Sequence, residues 1–201
     1  MKELDFDVIV VGGGPAGSSA ARIIAENGCT VALIEKEKEI AETVRTSGVT
    51  WISDIKKFGI TEDCYNPIKK FSFCSPKNSV VIEDKIAKAA VLDVRKTYKF
   101  LAKRAEDSGS QVFVSTNVSE VLQDSDGNCT GVIAKSGEKQ IQFNGKVIID
   151  ASGFASVVAK ELGYVKQWKK FGVGAEFEVK TEKLEYDNWW LMVGQEYSPA
   201  G

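Results

Sequence analysis

Apolar residues come along this chain in short blocks with two different periods. The first block, Val8-Ile9-Val10-Val11, follows Asp7 and reads as a parallel strand buried on both faces. Ala16, Ala20, Ile23 and Ile24 then recur at helical spacing, with Asn27-Gly28 as the stop. Thr30-Val31-Ala32-Leu33-Ile34 gives a second buried strand, closed by Glu35. Beyond a polar stretch, 50–58 reads as a short helix ending at Gly59, and 68–75 and 79–83 read as antiparallel strands around Pro76-Lys77-Asn78. Val91-Leu92 leads into a helix over about 93–107, with Tyr98, Leu101, Ala102 and Ala105 as its apolar face. A short strand at 111–114 suits the parallel sheet, and 118–122, 130–134 and 140–143 form an antiparallel meander. Lys146-Val147-Ile148-Ile149 predicts a buried returning strand, and 154–162 a helix. From Phe171 the pattern turns to β, at 172–179 and 189–193, and opens a second sheet rich in large apolar groups.

The turn between the first strand and the first helix carries the candidate chemistry. Gly12, Gly14 and Gly17 fit the spacing G-x-G-x-x-G. The first glycine serves the tight turn, the second lets backbone approach a pyrophosphate, and the third lets the helix lie close to the strand. Pro15 suits the first helical position, and the amide groups at that helix end would face phosphates. Ordinary strand-to-helix turns also carry glycines, so the context decides. Glu35 closes the second strand about twenty residues on, where a ribose hydroxyl is bound in dinucleotide-binding βαβ units. Asp150-Ala151-Ser152-Gly153, a small turn at the carboxyl end of a parallel strand, belongs on the same ligand side. Val44-Arg45-Thr46-Ser47-Gly48 reads either as a surface turn or as a loop over the cofactor, with Arg45 near phosphate or flavin. Arg95 opposes the dipole of its helix, which invites a functional reading beside the plain one of a solvated arginine.

Composition narrows the chemistry. The apolar and charged fractions of 43% and 27% are those of a folded globular chain. Net charge is −2 with scattered Lys and Arg, so no nucleic-acid partner is expected. No apolar stretch approaches the roughly 18 residues of a membrane span. A core strand begins by Phe6, which leaves no room for a signal peptide. Cytoplasmic location is the default expectation, with peripheral membrane contact left open. The four cysteines, at 29, 64, 74 and 129, form no C-x-x-C pair, and no metal site is expected. The chain has no histidine, which excludes a Ser-His-Asp triad and any His-ligated metal. A bound redox cofactor is the natural source of chemistry.

Taken in order, these pieces resemble the FAD-dependent oxidoreductases related to p-hydroxybenzoate hydroxylase, and within them the geranylgeranyl reductases. The likeness rests on residues 7–17, Glu35, Val44-Arg45, Arg95, 147–153 with Ser156, and the tail 194–201, which looks like a strand leading to a Pro-Ala-Gly turn. It implies an α/β fold: a Rossmann-like FAD-binding domain, a parallel sheet with an antiparallel β-meander, over 1–163, with inserted strands at about 68–84. Residues 164–201 would begin a second, mainly β substrate domain. By the same resemblance FAD is the cofactor. Gly12, Gly14, Pro15, Ala16 and Gly17 hold its pyrophosphate, and Glu35 with Lys36 takes the adenosine ribose. Arg45, Thr46, Ser47 and Arg95 approach the flavin, Val118 meets the adenine through its backbone, and Asp150, Ala151 and Gly153 close over the nucleotide. No catalytic acid is identified.

The implied activity is saturation of isoprenoid C=C bonds by hydride from reduced FAD, on an isoprenoid or other apolar substrate, with an external electron donor. A monooxygenase or halogenase of the same fold is the enzymatic alternative, and a nucleotide-binding fragment without activity is the other. NAD(P) at Glu35 is a lesser alternative. Two departures stand out. Archaeal reductases commonly carry a cysteine after the loop arginine, where this chain has Thr46-Ser47-Gly48-Val49. Family members also run to about twice this length, so the chain reads as the N-terminal half, with a C-terminal half as its missing partner.

Overall fold

The computed structural model describes residues 1–165, 172, 174, 175, 177 and 179–197. Its first elements are β1 (Lys2–Val11), α1 (Pro15–Glu26), β2 (Val31–Ile34), β3 (Val49–Trp51), α2 (Ile52–Lys57), β4 (Tyr65–Ile68), β5 (Lys70–Cys74), β6 (Ser79–Glu83) and β7 (Ala89–Leu92). They are followed by α3 (Val94–Asp107), β8 (Gln111–Phe113), β9 (Asn117–Gln123), β10 (Cys129–Ser136), β11 (Lys139–Asp150), α4 (Val157–Glu161) and β12 (Asn188–Met192). The chain divides into two compact units, 1–44 with 98–173, and 45–97 with 174–201. This division differs from a boundary at 163: the segment 45–97 groups with the C-terminal residues rather than with the Rossmann-like part.

The first unit is built on one six-stranded sheet of order β8-β2-β1-β11-β10-β9. β8, β2, β1 and β11 run parallel, and β10 and β9 run antiparallel to their neighbours. Strand alternation, with both faces covered, explains why 8–11 of β1 and all of β2 are apolar. Val8, Val10, Val31 and Leu33 pack with Ala21 of α1 and Ala105 of α3. Ile9, Val11, Ala32 and Ile34 turn to the other face, against Val118, Val121, Val132, Ala134 and Phe143 of the meander and Val158 of α4. Each of the buried Val, Ile, Leu and Phe side chains among them contributes about 1.5–3 kcal/mol. Phe143 completes this layer by meeting Phe113 edge-on at 5.0 Å and stacking on Phe6 at 6.3 Å.

Three sequence expectations change in this unit. The apolar face of α1 is met only in part: Ile24 packs against the core and Ala20 is half-buried, but the buried residues are Gly17, Ser18 and Ala21, and Ala16 and Ile23 are exposed. Close contact between helix and strand selects small residues rather than large apolar ones. The third meander strand and the returning parallel strand are one twelve-residue strand, β11. Its last part is not fully buried, with Val147 52% exposed: pairing with β10 stops at Asn144, and among the described residues β11 then has a sheet neighbour only in β1. The helix expected over 154–162 is a 3-10 turn, Gly153–Ala155, followed by α4, broken where Ser156 takes φ 45°.

The second unit contains two three-stranded sheets, β12-β5-β6 and β3-β7-β4. Thr50 and Trp51 belong to β3, paired with β7, so the helix expected from residue 50 starts at Ile52. Ile68 lies in β4, which also pairs with β7, and not in the hairpin of β5 and β6. Ile55, Cys64, Ile68, Ala89, Ala90 and Val94 are its buried apolar groups. The strand expected at 189–193 appears as β12, parallel to β5. The strand expected over 172–179 includes residues 173, 176 and 178, which lie outside the described residues. In the tail, 194–197 forms a turn closed by the Tyr197 N–H on the Gly194 carbonyl at 3.0 Å, and 198–201 lie outside the described residues. No helix among the described residues is long and apolar enough to cross a membrane.

Candidate cofactor site

The carboxyl ends of β2, β1 and β11 meet at the start of α1. The Gly12 N–H donates to the Ile34 carbonyl at 2.8 Å, and the Ala151 N–H donates to the Val11 carbonyl at 2.8 Å. These bonds tie the glycine turn to the strand on either side. Gly12 has φ +110°, and a Cβ there would meet the Ala151 carbonyl carbon at 2.7 Å and Ser152 Cα at 2.9 Å. A Cβ on Gly17 would run into the Gly12 carbonyl. Both glycines are therefore required by the protein's own packing. Gly14 differs: as N-cap of α1 it has extended φ and ψ of −69° and −176°, and nothing among the described residues lies within 4 Å of a Cβ built on it. That side of the helix end is open, and no side chain caps it. Pro15 occupies the first turn. The first-turn amide groups of a helix lack intrahelical acceptors and carry its positive dipole end.

Glu35 is fastened to this turn. Its Oε2 accepts the Gly13 N–H at 2.8 Å and its Oε1 accepts the Glu37 N–H at 2.9 Å. Ser18, fully buried, donates its hydroxyl to the Gly13 carbonyl at 3.1 Å. Thr116 donates its N–H to the Glu35 carbonyl at 2.9 Å, and Ser115 donates to the Glu37 carbonyl at 2.7 Å. Val118, two residues on, is thereby placed close to Glu35, with its side chain in the core. Lys36 is exposed. Gly13 is part of the glycine motif, but its bond to Glu35, and the parts played by Ser18 and Thr116, are not read from sequence. Of the last two, Ser18 carries a sequence signal, as a polar residue on a helix face of small groups.

Asp150 points into its own turn. Its Oδ1 accepts the Ser152 N–H at 3.1 Å and the Ser152 hydroxyl at 2.5 Å, and its Oδ2 accepts the Ala159 N–H at 2.8 Å. Burial pushes its carboxyl up, but the bonds from Ser152, Ala159 and Val158 outweigh burial and hold it below the ordinary carboxylate value. Its carboxylate thus fixes the turn, while Ala151 and Gly153 present backbone, with nothing among the described residues within 4 Å of a Cβ on Gly153.

The remaining expected residues lie in the second unit. Arg45, Thr46, Ser47 and Arg95 are all exposed. The Leu92 N–H donates to the Gly48 carbonyl at 2.9 Å, and Val49 pairs with Val91. A Cβ on Gly48 would meet Val94 Cγ2 at 2.9 Å. The loop after Arg45 is thereby held against the start of α3, where Arg95 lies. Asp93 caps that helix by accepting the Lys96 N–H at 3.0 Å. Two groupings result, one in each unit: the glycine turn with Glu35 and 150–153, and the Arg45 loop with Arg95. Among the described residues no group of three or more His, Cys, Asp or Glu could hold a metal ion.

A family model described as FAD dependent oxidoreductase matches residues 7–164. The chain is similar to digeranylgeranylglycerophospholipid reductase of Methanocaldococcus jannaschii, 34% identical over 100% of this chain and 53% of the relative. The reductase of the same name from Methanocella arvoryzae is 30% identical over 98% and 52%. The chain spans about half the length of these curated relatives. Among solved structures, a geranylgeranyl bacteriochlorophyll reductase-like protein of Thermoplasma acidophilum aligns with a TM-score of 0.78 at 24% identity, covering 96% of this chain and 51% of that one. A flavin-dependent brominase aligns at 0.65 and 23% identity, covering 80% and 41%. These two likenesses establish the fold, Rossmann-like with a β-meander. The family match covers the glycine turn, Glu35 and the 150–153 turn alike, and by it the chain belongs to the FAD dependent oxidoreductase family.

Proposed function

We propose that this chain holds FAD through its first unit and serves a reductase that saturates C=C bonds in the isoprenoid chains of a lipid. The observation that carries the first half is the convergence of three strand ends on an open helix terminus, at Gly14, with Glu35 fastened beside it. In this reading the N–H groups of Ala16 and Gly17 donate to the pyrophosphate, and Gly12 and Gly17 keep the turn tight enough for them to point outward. Glu35, oriented by Gly13 and Glu37, accepts from the adenosine ribose hydroxyls beside Lys36. The Val118 backbone borders the adenine. Ala151 and Gly153 border the nucleotide, with Asp150 positioning them. Arg45, Thr46, Ser47 and Arg95 form the flavin-side group. When bound, FAD supplies hydride transfer.

The second half rests on the curated relatives, matched along 98–100% of this chain, and on the apolar side of the second unit. In the register of β12, β5 and β6, Phe71, Phe73, Trp189 and Leu191 share one sheet face, and Trp189 meets Phe71 and Phe73 edge-on at 6.0 and 6.1 Å. Such a face suits a prenyl chain better than a polar substrate, and it would exclude water from the reacting bond. An external donor supplies the electrons, and a lipid substrate implies contact with a membrane surface.

Titration with FAD, followed by flavin fluorescence, tests the first half: saturable binding is expected, weakened by Glu35→Arg. Binding that is absent, or indifferent to Glu35, overturns it. For the second half, the flavin-loaded chain with dithionite and a geranylgeranyl lipid should yield product richer by two hydrogens per reduced bond in mass spectra. Oxygen-dependent hydroxylation or halogenation instead would favour the other enzymes of this fold.

A further inference from the structure

Ser18 is fully buried, on a face of α1 whose other buried residues are Gly17 and Ala21. Packing alone does not ask for a hydroxyl there, since alanine fills the same space and is the stronger helix former. A buried hydroxyl also costs stability unless it is bonded. Serines inside helices bond the carbonyl three or four residues back. Ser18 reaches further: its hydroxyl donates to the Gly13 carbonyl at 3.1 Å, outside the helix, while its N–H donates to the Gly14 carbonyl at 2.9 Å. The Gly13 N–H is held in turn by Glu35 Oε2 at 2.8 Å. Gly13 is thus gripped at both of its polar groups, by a buried hydroxyl and by the carboxylate beside it.

The Gly13–Gly14 peptide is trans, so its C=O and N–H point in opposite directions. With the oxygen drawn in to Ser18, the Gly14 N–H is directed away from it, at a residue with nothing among the described residues within 4 Å of its Cβ position. We infer, on the basis of the FAD site proposed above, that Ser18 is a positioning residue for the phosphates of the cofactor. It does not touch them. It acts through Gly13, by keeping a carbonyl oxygen out of the place that an anion takes. Two adjacent glycines offer little steric resistance to rotation of the peptide between them. Without the hydroxyl, the buried Gly13 carbonyl loses its donor, and turning outward toward water relieves that loss. The negative end of the peptide dipole then faces the phosphates.

Ser18→Ala tests this, because it removes one oxygen and keeps the helix. Its FAD dissociation constant, read by flavin fluorescence, should rise about tenfold, with far-ultraviolet circular dichroism unchanged. In the saturated variant the phosphorus NMR resonances of the bound pyrophosphate should move from their positions in the parent, while the flavin absorption bands stay in place. Ser18→Cys returns a weak donor to the same position and should recover part of both effects. If Ser18→Ala fails to fold, Ser18→Cys carries the same two readouts against the parent. A parent chain that does not bind FAD overturns the proposed FAD site and this inference together. A parent that binds, with phosphorus resonances or a dissociation constant that the folded variant leaves unchanged, overturns this inference alone: Ser18 then only packs the helix.

Discussion

Large apolar side chains fare differently in the two units. In the first, Ile9, Leu33 and Phe143 have no measurable exposure, because the parallel strands are covered by helices on one face and by the meander on the other. In the second, the β12-β5-β6 sheet carries an equally apolar face, yet Phe73, Val80 and Ile82 on that face keep 37, 59 and 53% of their surface. The composition of the strands is similar. What differs is the second layer: a sheet buries its apolar face only against another element. The first unit draws its stability from packing, whereas the apolar side of the second is surface available to a ligand or a partner.

The sharpest way to break this contrast is a pair of truncations. Phe143→Ala removes a ring held between Phe6 and Phe113, and should cost about 3–5 kcal/mol. Trp189→Ala removes a larger ring that is only half-buried, and should cost about 1–2 kcal/mol. Urea unfolding followed by circular dichroism gives both numbers. Equal costs would show that the sheet of the second unit is as well covered as that of the first.

A similar contrast lies within the glycine turn. Gly17→Val drives a side chain into the Gly12 carbonyl and should destabilise the first unit by about 3 kcal/mol, with flavin lost as a consequence. Gly14→Val enters open space on extended backbone, so its stability cost should stay near the weaker N-cap, under about 1 kcal/mol. Its FAD affinity should nevertheless fall about 100-fold or more, because the valine occupies the proposed phosphate position. Retained affinity in a folded Gly14→Val chain would move the pyrophosphate elsewhere. Glu35→Gln should have a smaller effect, about tenfold in affinity, since an amide oxygen still accepts from Gly13 but without charge.

These cases also show which features the sequence could reveal. β1, β2 and the glycine turn were legible because their apolar runs, φ-demanding glycines and closing acid all obey local rules. The buried face of α1 is legible only in part: apolar spacing finds Ile24, which packs on the core, but it also picks Ala16 and Ile23, which are exposed, and misses Gly17 and Ser18, which are buried because they are small. β4 escaped notice because Tyr65-Asn66-Pro67-Ile68 has no alternation, and only its pairing with β7 makes it a strand. The grouping of 45–97 with the C-terminal residues depends on β12 lying beside β5, more than a hundred residues earlier, which no local pattern encodes. For the site, the residue types were readable and their fastening was not. The Gly13–Glu35 bond joins residues 22 apart in sequence, and the role of Asp150 is set by donors up to nine residues away.

The smallest expected effect concerns that carboxylate, and pH isolates it. The folded value of Asp150 lies below its ordinary 3.8, so the carboxylate stabilises the native turn most fully above that value. As pH falls through 3.8 and on to the folded value, protonation withdraws the acceptor from Ser152 and Ala159, and the stabilisation is lost. Asp7, Asp63 and Asp124 are lowered as well, so acid weakens the chain at several places at once. Comparison with Asp150→Asn removes their contribution, since both proteins keep them. The stability gap between the parent chain and this variant should hold steady from about pH 7 to about pH 5 and narrow below about pH 4. A gap that persists unchanged into stronger acid would mean that the shape of the side chain, and not its charge, holds the 150–153 turn in place.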